Sequence, residues 1–213
     1  MSSIADIRRD YSLKTLLETE VADTPFLQFG DWWQQAVESE IDEVNAMTLA
    51  TASLEGVPSA RIVLLKGYNE KGFVFFSNYE SAKGQELAEN PKASLLFFWK
   101  ELERQVRITG LVEKLSAAEN DEYFLSRPTG SQIGAWASPQ SHVIENRSWL
   151  ERRVEELNEK FKTEQLTRPP HWGGYRVKPV IIEFWQGRSS RLHDRIQYTL
   201  QDSGSWKIER LAP

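Results

Sequence analysis

Apolar residues recur along this chain in two rhythms, one helical and one strand-like. From Pro25 to about Glu40 they fall near helical spacing at Phe29, Trp32, Trp33, Ala36 and Val37, with Pro25 suited to a first helical turn. Strand-like runs follow. Ala46–Ser53 is small and β-branched, Glu55-Gly56 signals a turn, and Pro58–Leu65 resumes in RIVLL. Asn69–Gly72 punctuates again before Phe73–Ser77, which reads FVFFS. Ser81–Asn90 reads as a short helix with Ser81 as N-cap and Asn90-Pro91 as its stop. Ala93–Trp99 and Gln105–Leu115 are the next strands. Ser116, with Glu119 three residues on, starts a helix to about Ser126. Residues 127–144 are rich in Ser, Gly and Pro and read as a loop. Residues 145–163 give the clearest helix, with Trp149, Val154, Leu157 and Phe161 against a charged face. After a Pro/Gly loop at Arg168–Gly174, three short strands close the chain: Val180–Trp185, Arg195–Leu200 and Trp206–Arg210.

Seven or eight strands joined by short turns predict mainly antiparallel pairing, and there is no regular βα alternation, repeat or linker. The expectation is one barrel-like α+β domain over residues 21–213, preceded by an amphipathic arm over residues 1–20.

Composition narrows the function classes. The chain has 213 residues, 40% of them hydrophobic, which suits one domain with a sizeable core. Its net charge of −5 argues against nucleic acid or an anionic membrane as partner, so a bound anion needs a local basic cluster. Cysteine is absent, which removes disulfides, thiolate metal sites and a cysteine nucleophile. The charged start MSSIADIRRD does not resemble a signal peptide, and no run approaches a membrane span; the expected location is cytoplasmic. No G-x-G-x-x-G or P-loop motif is present, and His142, His171 and His193 lack ligand spacing, so no metal is expected.

Four cationic groupings remain. Arg61 and Lys66 bracket RIVLLK, but their odd separation puts them on opposite faces of a regular strand unless a strand end or twist intervenes. Ser77, Ser81 and Lys83 surround a helix start, a ready anion site or an ordinary cap with a surface lysine. Tyr123 and Arg127 share a helix face, with Ser131 following across a turn; together they can donate to phosphate oxygens. Arg191, His193 and Arg195 alternate, so on a strand they share a face that is either solvated or lines a site.

The stretches RIVLLKGY, SLLFFW-x-x-LERQVRI-x-G, YF-x-SRP-x-x-SQIGAW-x-S-x-QS, HWGGYRV, IEFWQG, RLHDR and the closing W-x-I-x-RLAP resemble, in order and spacing, the pyridoxamine phosphate oxidase family, from about Arg8 to Pro213. The resemblance implies a split β-barrel that binds FMN non-covalently and forms a homodimer with sites shared between chains. It implies FMN contacts at Arg61, Ile62, Val63, Leu64, Leu65, Lys66, Phe76, Ser77, Lys83, Gln105, Gln140, Ser141, Trp185 and Arg195. Lys66, Tyr123, Arg127 and Ser131 then clamp a substrate phosphate. Arg191 and His193 lie over the substrate ring as the catalytic pair, and Arg8 and Tyr11 belong to an arm able to close over the site. The implied reaction oxidises pyridoxamine 5'-phosphate or pyridoxine 5'-phosphate with molecular oxygen to pyridoxal 5'-phosphate and hydrogen peroxide. One departure stands out: Ala82 occupies a position where relatives often carry arginine. Two other readings compete, a split-barrel flavoenzyme acting on a different substrate and a flavin-binding module without turnover. The first needs neither Tyr123-Arg127-Ser131 nor Arg191-His193.

Overall fold

The computed structural model describes residues 3–6 and 10–213; Arg8 lies outside the described residues. In chain order the elements are α1 (Pro25–Glu38), β1 (Ala46–Ala52), β2 (Pro58–Leu64), β3 (Gly67–Asn69), β4 (Gly72–Asn78), α2 (Ala82–Glu89), β5 (Lys92–Trp99) and β6 (Arg104–Lys114). They continue with α3 (Ala117–Ser126), α4 (Thr129–Ala137), α5 (Arg147–Lys160), β7 (Trp172–Gln186), β8 (Asp194–Leu200) and β9 (Trp206–Arg210).

The nine strands form one antiparallel sheet in the order β2-β1-β5-β6-β7-β4-β3, with β8 on β7 and β9 on β8. β7 organises it. One edge of β7 pairs with β6 along most of its length, while β4 and β8 share the other, β4 from Trp172 to Val177 and β8 from Ile181 to Gln186. The sheet curls so that β2, at one end of the order, approaches β4 near the other.

Alternation explains which face turns inward. On β1 every second residue is buried, and β5 buries Ala93, Leu95, Phe97 and Trp99. The enclosed space is filled by α1, started by Thr24 as N-cap and Pro25 in the first turn. Phe29 is fully buried among the rings of Trp33, Tyr68, Phe73, Phe97 and Trp99, with Phe73 5.0 Å and Phe97 5.4 Å away. Beside it Arg104 stacks 4.2 Å over Trp32 and donates to Gln186 at 2.9 Å and Gln35 at 3.0 Å. Burial lowers its pKa to about 10, still well above neutrality, so a guanidinium cation sits in the core with polar and aromatic partners.

Three segments differ from the sequence expectation. Residues 127–144 contain α4, although Gly130, Gly134 and Thr129 are weak helix formers. Packing overrides propensity there: Ile133 and Ala137 bury against Leu157 of α5, and Trp136 and Phe161 close the small cluster. β7 begins at Trp172, well before Val180, so part of the Arg168–Gly174 loop is strand. Its glycines are required by close approach, since a Cβ on Gly173 would lie 2.1 Å from the Tyr79 hydroxyl oxygen. Pro179 sits opposite Gly110, where the β6–β7 register shifts, so its missing N–H falls at a bulge. The third is β3, a short strand not expected from the sequence, which overlaps the Asn69–Gly72 turn only at Asn69.

Phe29→Ala should destabilise the fold by about 3–5 kcal/mol, read as a lower urea midpoint with little change in slope. An unchanged midpoint would remove α1 from the core.

Candidate active site

β2, β4 and the start of α2 meet α3 and α4 around a cavity of about 730 Å³. It is lined by Arg61, Ile62, Val63, Leu64, Lys66, Phe76, Ser77, Lys83, Tyr123, Arg127, Ser131, Gln140 and Ser141, and also by Ala82, Pro128 and Trp172. A strand end resolves the odd Arg61–Lys66 spacing. β2 stops at Leu64, Leu65 turns its side chain into the core at 5% exposure, and Lys66 emerges at the cavity rim. Leu65 can therefore face the cavity only through its main chain.

Arg61 is already engaged. Its guanidinium donates to Leu49 O (3.3 Å), Ser59 Oγ (2.9 Å), Thr51 Oγ1 and Glu86 Oε2 (3.3 Å). Burial opposes ionisation of Glu86, but the hydroxyls of Ser59 and Thr51 and the charge of Arg61 outweigh it and hold the carboxyl below its ordinary pKa. The neighbouring Lys83 is 8% exposed; its Nζ donates to Ser81 Oγ (3.2 Å) and Gln140 Oε1 (3.3 Å). Burial pushes the Lys83 pKa down, the positive charge of Arg61 adds to this, and Glu86 opposes it. Ser77 Oγ also donates to Gln140 Oε1, at 3.3 Å, so one amide from the loop after α4 joins the strand and the helix start. Ser81 caps α2, and a Cβ on Gly84 would lie 2.2 Å from Tyr79 O; only glycine lets that helix start approach β4 so closely.

The opposite wall is aromatic. Tyr123 stacks on Phe76 with centroids 3.8 Å apart, and Phe76 stacks on Trp172 at 5.3 Å. Arg127 lies 4.5 Å over the Trp172 ring, and its NH1 is buried with no hydrogen-bond partner. Burial pushes its pKa down, against the influence of Tyr123. A buried guanidinium nitrogen left unpaired beside a cavity calls for an acceptor.

The remaining expected residues form a second group. Gln105 of β6, Trp185 of β7 and Arg195 of β8 are successive register partners across three strands. They line a separate cleft of about 280 Å³ with Leu96, Arg107, Glu183 and the C-terminal Pro213. Glu183 accepts from Arg195 Nε at 2.8 Å and also pairs with Arg107; this hydrogen bond raises the Arg195 pKa above its ordinary value. His193 packs 4.5 Å from Trp185, and its Nδ1 accepts the Arg188 N–H at 3.1 Å. Burial and then the Arg191 charge lower its pKa, which favours a neutral ring with its proton on Nε2. Tyr11 of the arm meets Trp185 edge-on at 5.9 Å and lies 6.1 Å from His193.

The strand alternation expected for Arg191, His193 and Arg195 does not hold. β8 begins only at Asp194, and Arg191 ends a short 3-10 turn with φ 62, in the left-handed region. It is exposed, and its link to His193 is one of charge.

The two groups share no lining residue. Trp172 and Trp185 stand at opposite ends of β7, thirteen positions apart, or about 43 Å of extended strand. Trp172 was hidden in the sequence by the Pro/Gly segment around it; Pro128 and Glu183 carried no signal. A further cavity of about 490 Å³ lies between α4, α5 and the Asn78–Glu80 segment, and it holds none of the expected residues. Among the described residues no helix is long and apolar enough to cross a membrane, and no group of three or more His, Asp or Glu is arranged for a metal ion.

The family model described as pyridoxamine 5'-phosphate oxidase matches residues 33–161, and one described as the pyridoxine 5'-phosphate oxidase C-terminal dimerisation region matches residues 172–213. A protein of Nostoc punctiforme named pyridoxine/pyridoxamine 5'-phosphate oxidase is 59% identical over 211 residues, 99% of each chain. One of the same name from Paraburkholderia phymatum is 60% identical over the full length of both. Among solved structures, PhzG from Burkholderia lata 383, in complex with tetrahydrophenazine-1-carboxylic acid, matches at TM-score 0.88 and 32% identity, over 95% of this chain and all of that one. An FMN-binding protein of Nostoc punctiforme related to pyridoxamine 5'-phosphate oxidase shares the split-barrel fold at TM-score 0.72 and 17% identity, over 91% of this chain and all of its own. With nearly all of the chain covered and more than half of its residues identical, this chain belongs to the pyridoxamine 5'-phosphate oxidase family.

Proposed function

We propose that the protein oxidises pyridoxamine 5'-phosphate and pyridoxine 5'-phosphate to pyridoxal 5'-phosphate, with non-covalent FMN as cofactor and molecular oxygen as final acceptor. The amine reaction takes up water and oxygen and releases ammonia and hydrogen peroxide; the alcohol reaction releases hydrogen peroxide alone. The observation that carries this reading is one cavity lined by two cationic clusters, Arg61–Ser77–Lys83 and Lys66–Tyr123–Arg127–Ser131, the second built on the stacked Phe76 and Trp172 rings. A flavin mononucleotide and a phosphorylated substrate bring one phosphate each.

The residues fit such a cofactor. Lys83 is a buried ammonium whose pKa burial has lowered, so a phosphate dianion beside it restores the favoured charge state. Ser77 and the start of α2 add hydroxyl and N–H donors. With alanine at position 82 and Arg61 tied to Glu86, Lys83 carries a large share of that phosphate. FMN, when bound, supplies a two-electron acceptor that oxygen can regenerate.

The chain's own residues then bind and orient. Arg127, already unpaired on NH1 and flattened against Trp172, donates to the substrate phosphate with Tyr123, Ser131 and Lys66. That grip is remote from the reacting carbon, so its binding energy serves alignment. His193, neutral and held through Nδ1, presents its Nε2 proton as a donor, and Arg191 adds positive charge over the ring. The dimerisation-region match and the separation of the two residue groups support a homodimer in which the Gln105–Trp185–Arg195 cleft of one chain completes the partner's cavity.

Acid precipitation should release yellow FMN, and Lys83→Met should weaken FMN binding. FMN affinity should fall as pH rises through a Lys83 pKa that lies below its ordinary 10.5, because the bound anion then requires proton uptake; this slope should be missing in the variant. An identical slope in both proteins would take the phosphate away from Lys83.

Arg127→Ala removes charge-assisted hydrogen bonds worth roughly 1.5–3 kcal/mol. KM for pyridoxamine 5'-phosphate should therefore rise ten- to a hundredfold, while activity on the dephosphorylated compound, poor already, changes little. A normal KM would refute the clamp.

Site sharing is tested by refolding Lys66→Ala chains with Arg191→Ala chains. About half of the dimers are then mixed, each with one intact and one doubly damaged site, and activity should recover to about a quarter of the unsubstituted protein. Mixed dimers with no recovered activity would place each site within one chain.

A further inference from the structure

Glu103 is 2% exposed and has a left-handed backbone, φ 55, between a 3-10 turn and the start of β6. Its carbonyl accepts the Gly187 N–H at 2.7 Å and the Gln186 side-chain amide at 3.3 Å, so the core fixes its main chain. Its carboxylate turns the other way, to the N-terminal arm. Oε2 accepts the backbone N–H groups of both Ser12 (2.9 Å) and Leu13 (3.1 Å). Two successive amides on one carboxylate oxygen make an anion nest, with the anion supplied by the barrel.

Among the described residues the arm is also held by Lys14 Nζ on Gln35 Oε1 at 2.9 Å and by Arg210, which donates to Leu16 O at 2.9 Å and to Glu18. Ser12 and Leu13 are exposed, and the first buried apolar residue among those described is Leu16, whose N–H is taken by Asp194 Oδ2 at 3.1 Å. Between these ties and the Ser190 N–H to Asp10 Oδ1 contact (3.3 Å), Tyr11 is carried onto Trp185 and His193. The approach is close: a Cβ on Gly187 would lie 2.8 Å from Tyr11 Cβ and 3.0 Å from Glu103 Cβ.

We propose that Glu103 is a positioning residue, which sets Tyr11 over the Trp185–His193 face by clamping the amides of Ser12 and Leu13. It acts on substrate binding through the arm. The kinetic part of this inference rests on the function proposed above; the structural part does not.

The test is made on the FMN-loaded enzyme, with Glu103→Ala, Tyr11→Ala and the double variant. Amide hydrogen exchange over residues 10–16 should rise in Glu103→Ala while the barrel strands keep their protection. KM for pyridoxamine 5'-phosphate should rise about tenfold, the scale of a charge-assisted hydrogen bond, with kcat and flavin content little changed. In the Tyr11→Ala background, Glu103→Ala should add less than about twofold, since its effect passes through that ring. If Glu103→Ala does not fold, Glu103→Gln keeps the shape and weakens both bonds, and a smaller rise in exchange is expected at the same amides. Unchanged exchange in the folded variant overturns the clamp. Raised exchange with unchanged KM, or effects of the two substitutions that multiply, overturns the positioning role. An enzyme inactive before any substitution refutes the proposed function and leaves the exchange result to decide the clamp.

Discussion

The sheet depends on one strand that must satisfy three neighbours. β7 gives one edge to β6 and divides the other between β4 and β8, so its fifteen residues carry both the β4 side of the barrel and the C-terminal β8–β9 extension. A strand in that position is shielded by other strands on both edges and can afford few backbone defects. The one irregularity in its register with β6 falls where Gly110 meets Pro179, between the two halves. The consequence for chemistry is separation. Trp172 at one end belongs to the large cavity and Trp185 at the other to the small cleft. Within one chain β7 keeps the two surfaces apart, and the site sharing proposed above would join them by two-fold symmetry.

Charge is handled locally in this acidic chain. Cations that hold the fold are paired or stacked: Arg104 over Trp32 and on Gln186, Arg195 on Glu183, Arg210 on Glu18 and Asp194. Around the cavity the pattern changes. Arg61 is still paired with Glu86, but among the described residues Lys83 has only neutral oxygens from Ser81 and Gln140 as direct partners, and Arg127, though stacked on Trp172, retains a buried nitrogen without a hydrogen bond. Such groups are costly without an anion, since their desolvation is not offset. The lowered pKa values of Lys83 and Arg127 express that cost, and the same burial would strengthen their attraction to an anion.

Much of this was legible in the chain. Apolar and β-branched runs bounded by turn residues located β1, β2, β4, β5 and β6 to within a few residues. The Tyr123–Arg127 spacing brought both side chains to the cavity, with Arg127 as the extended C-cap one turn after Tyr123. Three features were not legible, each for a tertiary reason. α4 forms because Ile133 and Ala137 bury against α5, despite its glycines. The Trp172–Gly174 strand looks like a loop because glycine is needed where Tyr79 and Leu115 pack against its backbone. Arg191 lies off the strand because Ser190 and Arg191 both adopt left-handed backbone, which no local rule favours for these residues.

That left-handed pair bears on how the arm reaches the site. Ser190 and Arg191 turn the chain so that the Ser190 N–H meets Asp10, two residues further on His193 stands against Trp185, and Asp194 receives the amide of Leu16. Glu103 adds its clamp from the neighbouring strand start, where its own backbone is also left-handed. Three strained positions thus lie in the two turns that hold the arm, and another, Ser141 with φ 71, lies in the loop that closes the large cavity. Strain of this kind, of order 1–3 kcal/mol at each residue, persists only where surrounding contacts fix it. Here those contacts are the Gln186 and Gly187 hydrogen bonds to Glu103 and the His193 and Asp194 bonds to Arg188. The large cavity is therefore framed mainly by strands and helices of the barrel, and the Trp185–His193 face by turns tied to the arm.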